Sequence, residues 1–255
     1  MASSIHWHGI DVPWTMDGVP GINQKPVAPG ETFVYEFVAK PAGTRFYHTH
    51  GSGQGDEATQ MDMGLYGAFI IEGKNEPKYD RDYTVLLSER AAALMGGAEG
   101  ATTPAAGGHT MSTPAPPPGP SGAATGPHAT GDAFFMNGKS WPATEPLRVK
   151  KGERVRIRLI NAGSMSMHPM HLHGHSFKII AVDGNPLPGG MRRDVVPMTP
   201  GERYDIEFVA NNPGVWLFHC HDLHHADAGM ATLVQYEGFQ PVDKAGSPPA
   251  HGSGH

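Results

Sequence analysis

Ten of the 16 histidines and the single cysteine of this 255-residue chain fall into four short clusters. They are His6-Trp7-His8, His48-Thr49-His50, His168-Pro169-Met170-His171-Leu172-His173, and His219-Cys220-His221 followed by His225 and Met230. Imidazole and thiolate are ligands for the later first-row metals. Successive side chains of a strand point to opposite faces, so each His-x-His pair offers two imidazoles on one face. In His219-Cys220-His221 the thiolate then points away from its flanking imidazoles, and one strand touches two metal sites. His168, Cys220 and His225, with Met230 as a weak axial thioether, compose a blue-copper electron-transfer set. Zinc is the rival, but structural zinc gathers more thiolates at short spacing. The other eight imidazoles are His6, His8, His48, His50, His171, His173, His219 and His221. They suit three further copper ions, two with three ligands and one with two, leaving positions for dioxygen and water. A lone histidine is more often a surface or core residue than a ligand. Four clusters at strand spacing favour metal binding.

Strands must position these groups. Residues 1–88 read as strands and turns, with β-type runs at Thr32–Val38, Arg45–His48, Gly67–Ile71 and Tyr83–Leu87. Residues 132–238 show the same pattern at Phe134–Met136, Arg154–Ile160, Phe177–Val182, Tyr204–Val209, Val215–His219 and Ala231–Tyr236. Between them the chain is Ala, Gly, Pro, Ser and Thr, which predicts a flexible linker over 91–131. A disordered tail is expected over 240–255. The fold expected is all-β: an N-terminal domain over 1–90 and a C-terminal domain over 132–239.

Composition narrows the function. Hydrophobic residues are 38% and charged residues 17%, so a sizeable core is available; 34 Gly and 24 Pro favour turns and short strands over long helices. A net charge of −6 gives no basic field for nucleic acid. No apolar run approaches membrane-spanning length. One cysteine excludes an intrachain disulfide. No signal peptide is visible, since Met1-Ala2-Ser3-Ser4 runs almost at once into His6.

An internal repeat ties the halves together. Pro29-Gly30-Glu31 through His48-Thr49-His50 aligns without gaps onto Pro200-Gly201-Glu202 through His219-Cys220-His221. His6-Trp7-His8-Gly9 likewise matches His171-Leu172-His173-Gly174. Two homologous β domains follow. Thr49 stands where Cys220 stands, Gln60 faces His225 and Leu65 faces Met230, so the first domain lacks the soft ligand set. It also offers about five strand-like runs against eight or nine in the second, as though its opening strands were absent, which would expose unpaired edges and core.

His-Trp-His-Gly, Tyr-His-Thr-His, His-Pro-Met-His-Leu-His-Gly-His and His-Cys-His-x-x-x-His-x-x-x-Gly-Met resemble the four copper signatures of the multicopper oxidases. The resemblance covers nearly all of residues 4–88 and 132–238. It implies two cupredoxin-like Greek-key β-sandwich domains, the first lacking its N-terminal strands. It implies type 1 copper on His168, Cys220, His225 and Met230, and type 2 copper on His6 and His171. The type 3 pair would take His8, His48, His221 and His50, His173, His219. The two-domain layout is similar to the small laccases with type 1 copper in the second domain. In these, the trinuclear cluster forms between subunits of a homotrimer, and the proteins are periplasmic or secreted. The implied reaction is one-electron oxidation of a phenolic or metal-ion reductant, coupled to four-electron reduction of dioxygen to water. Asp17 matches the family position near type 2 copper and is the first candidate for proton relay or orienter; the plain reading is a turn Asp before Gly. Asp227 is the second candidate, and Ala226 stands where some members carry an acid.

Four other readings remain. A cuprous oxidase of copper resistance would use methionines and carboxylates, and Asp56, Glu57, Met61, Asp62 and Met63 lie together, with His109, Met111 and His128 in the linker. The plain reading is a polar loop, with Met165, Met167 and Met170 packing around the copper motif. A copper nitrite reductase also has two cupredoxin domains but does not need the paired His-x-His motifs. A non-enzymatic copper-storage protein, or a fragment of a longer oxidase, would bind copper without turning over dioxygen. His175 is expected to pack or hydrogen-bond, His224 to face solvent, and His251 and His255 to belong to the tail.

Overall fold

The computed structural model describes residues 1–53, 55–92 and 132–242. Nearly all of the expected linker, with His109, Met111 and His128, and most of the expected tail, with His251 and His255, lie outside the described residues.

Two sheets make the larger unit. The strands are β4 (Arg81–Arg90), β5 (Ala133–Met136), β6 (Leu147–Val149), β7 (Arg154–Asn161), β8 (Met170–Leu172), β9 (Phe177–Val182), β10 (Asn185–Arg193), β11 (Val195–Val196), β12 (Arg203–Val209), β13 (Val215–Cys220) and β14 (Ala231–Tyr236). One sheet has the order β10-β9-β12-β7-β4-β5, the other β11-β8-β13-β14-β6. Val85 and Leu87 of β4, Val155, Ile157 and Leu159 of β7, Phe218 and Cys220 of β13 and Val234 of β14 share one buried cluster. The two sheets therefore close face to face over a common core.

The smaller unit is a three-stranded sheet, β1-β2-β3, of Ile5–His8, Gly43–Thr49 and Tyr66–Ile71. Its filling is aromatic: the Trp7 ring meets Tyr35, Phe37, Tyr47 and Phe69. Every residue of β1 and β3 is only half-buried. The expected strand over Thr32–Val38 is not hydrogen-bonded into any sheet. Its alternation is visible all the same: Phe33, Tyr35 and Phe37 turn inward while Val34 and Val38 are exposed. The counterpart in the repeat, β12, lies between β7 and β9.

Strand β4 is the second departure. The sequence reading groups it with the first domain, but it runs parallel to β7 and antiparallel to β5 inside the six-stranded sheet. The units meet over polar contacts. Arg158 of β7 donates to Thr44 Oγ1 at 2.8 Å, and Thr44 donates to Asp205 at 2.6 Å. Arg45 donates to the carbonyls of Asp183 and Gly184. Arg158 is buried, and it is paired with Glu76, Asp82 and Asp205, as a buried guanidinium requires.

The repeat survives as geometry. His6 lies opposite His48 across β1–β2, and His171 lies opposite His219 across β8–β13.

Candidate metal centres

Cys220 closes β13 with its side chain fully buried. Its Sγ is 3.9 Å from His168 Nδ1 and 3.6 Å from His225 Nδ1, and the two imidazole nitrogens are 3.1 Å apart. Bonds of about 2.0 Å to nitrogen and about 2.3 Å to sulfur would put three donors of one ion roughly 3 to 4 Å apart, so the set fits a single metal. Local structure explains the convergence. Helix α2 (Leu223–Asp227) starts at Asp222, whose carboxylate caps the His224 N–H at 3.1 Å, and it turns His225 back toward Cys220. The Cys220 N–H donates to the Met230 carbonyl at 3.0 Å, which places Met230 beside the site, fully buried in the same cluster. Between them Gly229 has φ +118, and a Cβ there would lie 2.6 Å from that of Ser140. Phe134 stacks on His225 at 4.1 Å and helps exclude water. Burial pushes the Cys220 thiol up to about 12, so in the metal-free protein it holds its proton.

The flanking imidazoles point elsewhere. His219 Nε2 is 3.0 Å from His173 Nε2, and the His171 ring lies 4.8 Å from that of His173 and 5.6 Å from that of His221. On the smaller sheet, donor atoms of His6, His8 and His48 lie within 4.8 Å of one another, and His50 adds a ring 6.3 Å from His6. His8 Nδ1 is 3.3 Å from His48 Nε2.

Four of these rings are fixed the same way. His6 Nδ1 meets the Asp17 carbonyl at 2.9 Å and His171 Nδ1 meets the Asp194 carbonyl at 2.8 Å. His48 Nδ1 meets the Thr49 carbonyl at 2.8 Å and His219 Nδ1 meets the Cys220 carbonyl at 2.7 Å. A carbonyl only accepts, so Nδ1 carries the proton and Nε2 presents its lone pair. Burial first, then the nearby Arg203, His48 and His6, lowers His8 to about 3; burial also lowers His48. Both are neutral donors near neutral pH.

Asp17 acts on His6 twice, through its carbonyl and through a carboxylate oxygen 3.3 Å from the same nitrogen, while Asn23 holds its other oxygen at 3.1 Å. Asp227 is exposed at the end of α2. His175 bonds to Tyr236 at 2.7 Å, and His224 is exposed. Met170 is buried, whereas Met165 and Met167 are 62% and 52% exposed on the loop that leads to His168. Three acids stand beside imidazoles, a role the sequence reading gives to none of them. Glu57 on α1 (Asp56–Asp62) stands 3.4 Å from His50 Nδ1, and Asp222 stands 3.7 Å from His225 Nε2. Glu89 stands 3.8 Å from His168 Nε2. Asp222 and Glu57 lie three and seven residues from their histidines, whereas Glu89 lies 79 residues from His168 and spacing gives no signal of it.

Two family profiles, both described as multicopper oxidase, match residues 1–76 and 113–238. A solved blue copper oxidase from Nitrosomonas europaea is 34% identical, with a TM-score of 0.72, over 93% of this chain and 70% of that one. The multicopper oxidase mgLAC is also 34% identical, with a TM-score of 0.75, over 96% and 72%. Laccase-1 of Cryptococcus neoformans var. grubii is 32% identical over 79% of this chain and 32% of its own length. The chain spans from 20% to 41% of the length of curated relatives that it matches.

Proposed function

The chain belongs to the multicopper oxidases, whose fold is built of cupredoxin-like units, and from that premise we propose that it oxidises a phenolic or aromatic reductant by single electrons and passes four of them to dioxygen, giving water. The observation that carries this reading is the branching at β13: Cys220 faces His168 and His225 while His219 faces His173. Copper, when bound, supplies electron exchange at the thiolate and dioxygen reduction at the imidazole sets.

In this reading His168, Cys220, His225 and Met230 hold type 1 copper, and His6 with His171 hold type 2 copper. His8, His48, His221 and His50, His173, His219 hold the type 3 pair, for four ions per functional unit. The imidazoles stand on two different sheets, His6 to His50 on one and His171 to His221 on the other. By the resemblance to the small laccases, the first set of one subunit would meet the second set of its neighbour in a homotrimer. The covalent path from Cys220 Sγ to the His219 and His221 rings runs through one stretch of backbone. Phe134 shields the thiolate side from water. Asp17 orients His6 and holds an acceptor beside it for proton delivery. Asp227, exposed on α2, is the second proposed proton donor. Among the described residues no helix is long and apolar enough to cross a membrane. We place the protein in the periplasm or outside the cell.

One observation favours a metal-ion reductant as a second reading. Met165 and Met167 are exposed beside His168, and Met63 is exposed next to Asp62, which accepts from Ser164 on that same loop at 3.0 Å. Thioethers at such a surface suit cuprous ion.

The test is copper loading with metal analysis, electron paramagnetic resonance and oxygen uptake. Four coppers per chain, type 1 and type 2 signals, and uptake driven by a phenol are expected. Cys220→Ser should abolish the visible thiolate-to-copper band; a blue variant would refute the assignment. Copper loading without uptake would leave storage as the function, and uptake driven by cuprous ion but not by phenols would select the second reading.

A further inference from the structure

Glu89 lies on β4 and is 4% exposed. Its Oε1 accepts from the backbone N–H groups of Met165 at 2.6 Å and Ser166 at 2.9 Å, which pins the loop leading into His168. Its Oε2 is buried, has no hydrogen-bond partner among the described residues, and stands 3.8 Å from His168 Nε2. An unsatisfied buried carboxylate oxygen is costly, so its retention points to a bond completed in another state of the protein. That state follows from the other side of the ring. His168 Nδ1 faces Cys220 Sγ and His225 Nδ1, so it is the nitrogen that would bind metal. The proton then belongs on Nε2, directed at Glu89, and a cation on Nδ1 would make that N–H a stronger donor.

On the type 1 reading above, we propose that Glu89 is a positioning residue for His168 that lowers the reduction potential of the copper bound there. A carboxylate accepting from Nε2–H returns electron density to the ring and favours the cupric state. The second imidazole has a comparable neighbour, Asp222, 3.7 Å from His225 Nε2, but its side chain is 35% exposed against 2% for Glu89. Water screens the exposed charge and leaves the buried one at greater strength. The two carboxylates therefore provide an internal comparison.

The experiment is a redox titration of the copper-loaded protein, followed at the visible band, for wild type, Glu89→Gln and Asp222→Asn. Gln keeps an oxygen for the Met165 and Ser166 N–H groups, and Asn preserves the helix cap. Glu89→Gln should keep the band and lower the cupric-to-cuprous ratio at fixed poise about tenfold, a rise of about 59 mV for one electron. Asp222→Asn should shift it less. An unchanged ratio in Glu89→Gln, or equal shifts in both variants, would overturn the proposal. A wild-type protein that binds copper without the band would instead remove the type 1 reading itself. Should Glu89→Gln not fold, nuclear magnetic resonance of the reduced, diamagnetic wild type still decides. A strongly deshielded, slowly exchanging His168 Nε2–H supports the Glu89 bond, and an exchange-averaged one refutes it.

Discussion

At the scale of single residues, protonation separates what the fold tolerates from what it needs. His8 has its folded value lowered to about 3 by burial, by the Arg203 guanidinium and by its neighbouring imidazoles, against 6.5 when unfolded. The unfolded chain therefore binds the proton more readily, and stability rises with pH across that window. In the metal-free protein, the contribution of a neutral His8 should be complete above about pH 6.5 and lost as pH falls toward about 3. Denaturant titrations across this range should show the slope, and His8→Gln should flatten it; an unchanged slope would place the effect elsewhere. Such environments are not written in spacing. The alternation of His-x-His predicts which rings share a face, and His6 opposite His48 and His171 opposite His219 obey it. Two of the four carbonyls that fix the rings, Thr49 and Cys220, belong to the next residue, but the other two come from turns at Asp17 and Asp194, whose approach depends on tertiary folding. Glu89 reaches its histidine from a strand 79 positions earlier in the chain, and no local pattern marks it.

At the scale of elements, β4 decides the architecture. Its Leu87 is 0% exposed inside the core of the larger unit, against Met136 of β5 in register. Leu87→Ala should lower the unfolding free energy by about 2–5 kcal/mol, measured by chemical denaturation. Val34→Ala, at a side chain 72% exposed, should cost no more than about 0.5 kcal/mol. A small effect at Leu87 would mean that β4 is not integral to the sandwich. The β-type runs of the sequence are strands in the structure wherever a partner is at hand. Thr32–Val38 has the right alternation and no ladder, because pattern specifies a face and not a neighbour. β10 shows the opposite case. Pro186, Pro188, Gly189 and Gly190 hide it from a strand search, and they are tolerated because β10 is at the edge of its sheet.

For the molecule as a whole, among the described residues the larger unit carries nearly all the buried apolar side chains, while the smaller contributes Ile10, Phe46 and Met61. Phe46 itself packs on Ile160 and Ala162 of the larger unit, so the smaller sheet borrows its deepest contact. The strand-like runs predicted an all-β chain, and the repeat predicted a shared plan for the two halves. Neither disclosed that buried arginines would join them, since no local pattern marks Arg158 or Arg45 for burial and their partners lie far along the chain.

The insertion of β4 between β7 and β5 has a further consequence for chain continuity. A polypeptide cut between residues 92 and 132 would still have its two pieces interlocked, because one supplies an inner stave of the other's wall. Separately expressed segments ending at Ala92 and starting at Asp132 should reassemble on mixing and elute together from a sizing column. Independent elution would mean that covalent tethering, rather than shared hydrogen bonding, keeps the halves joined.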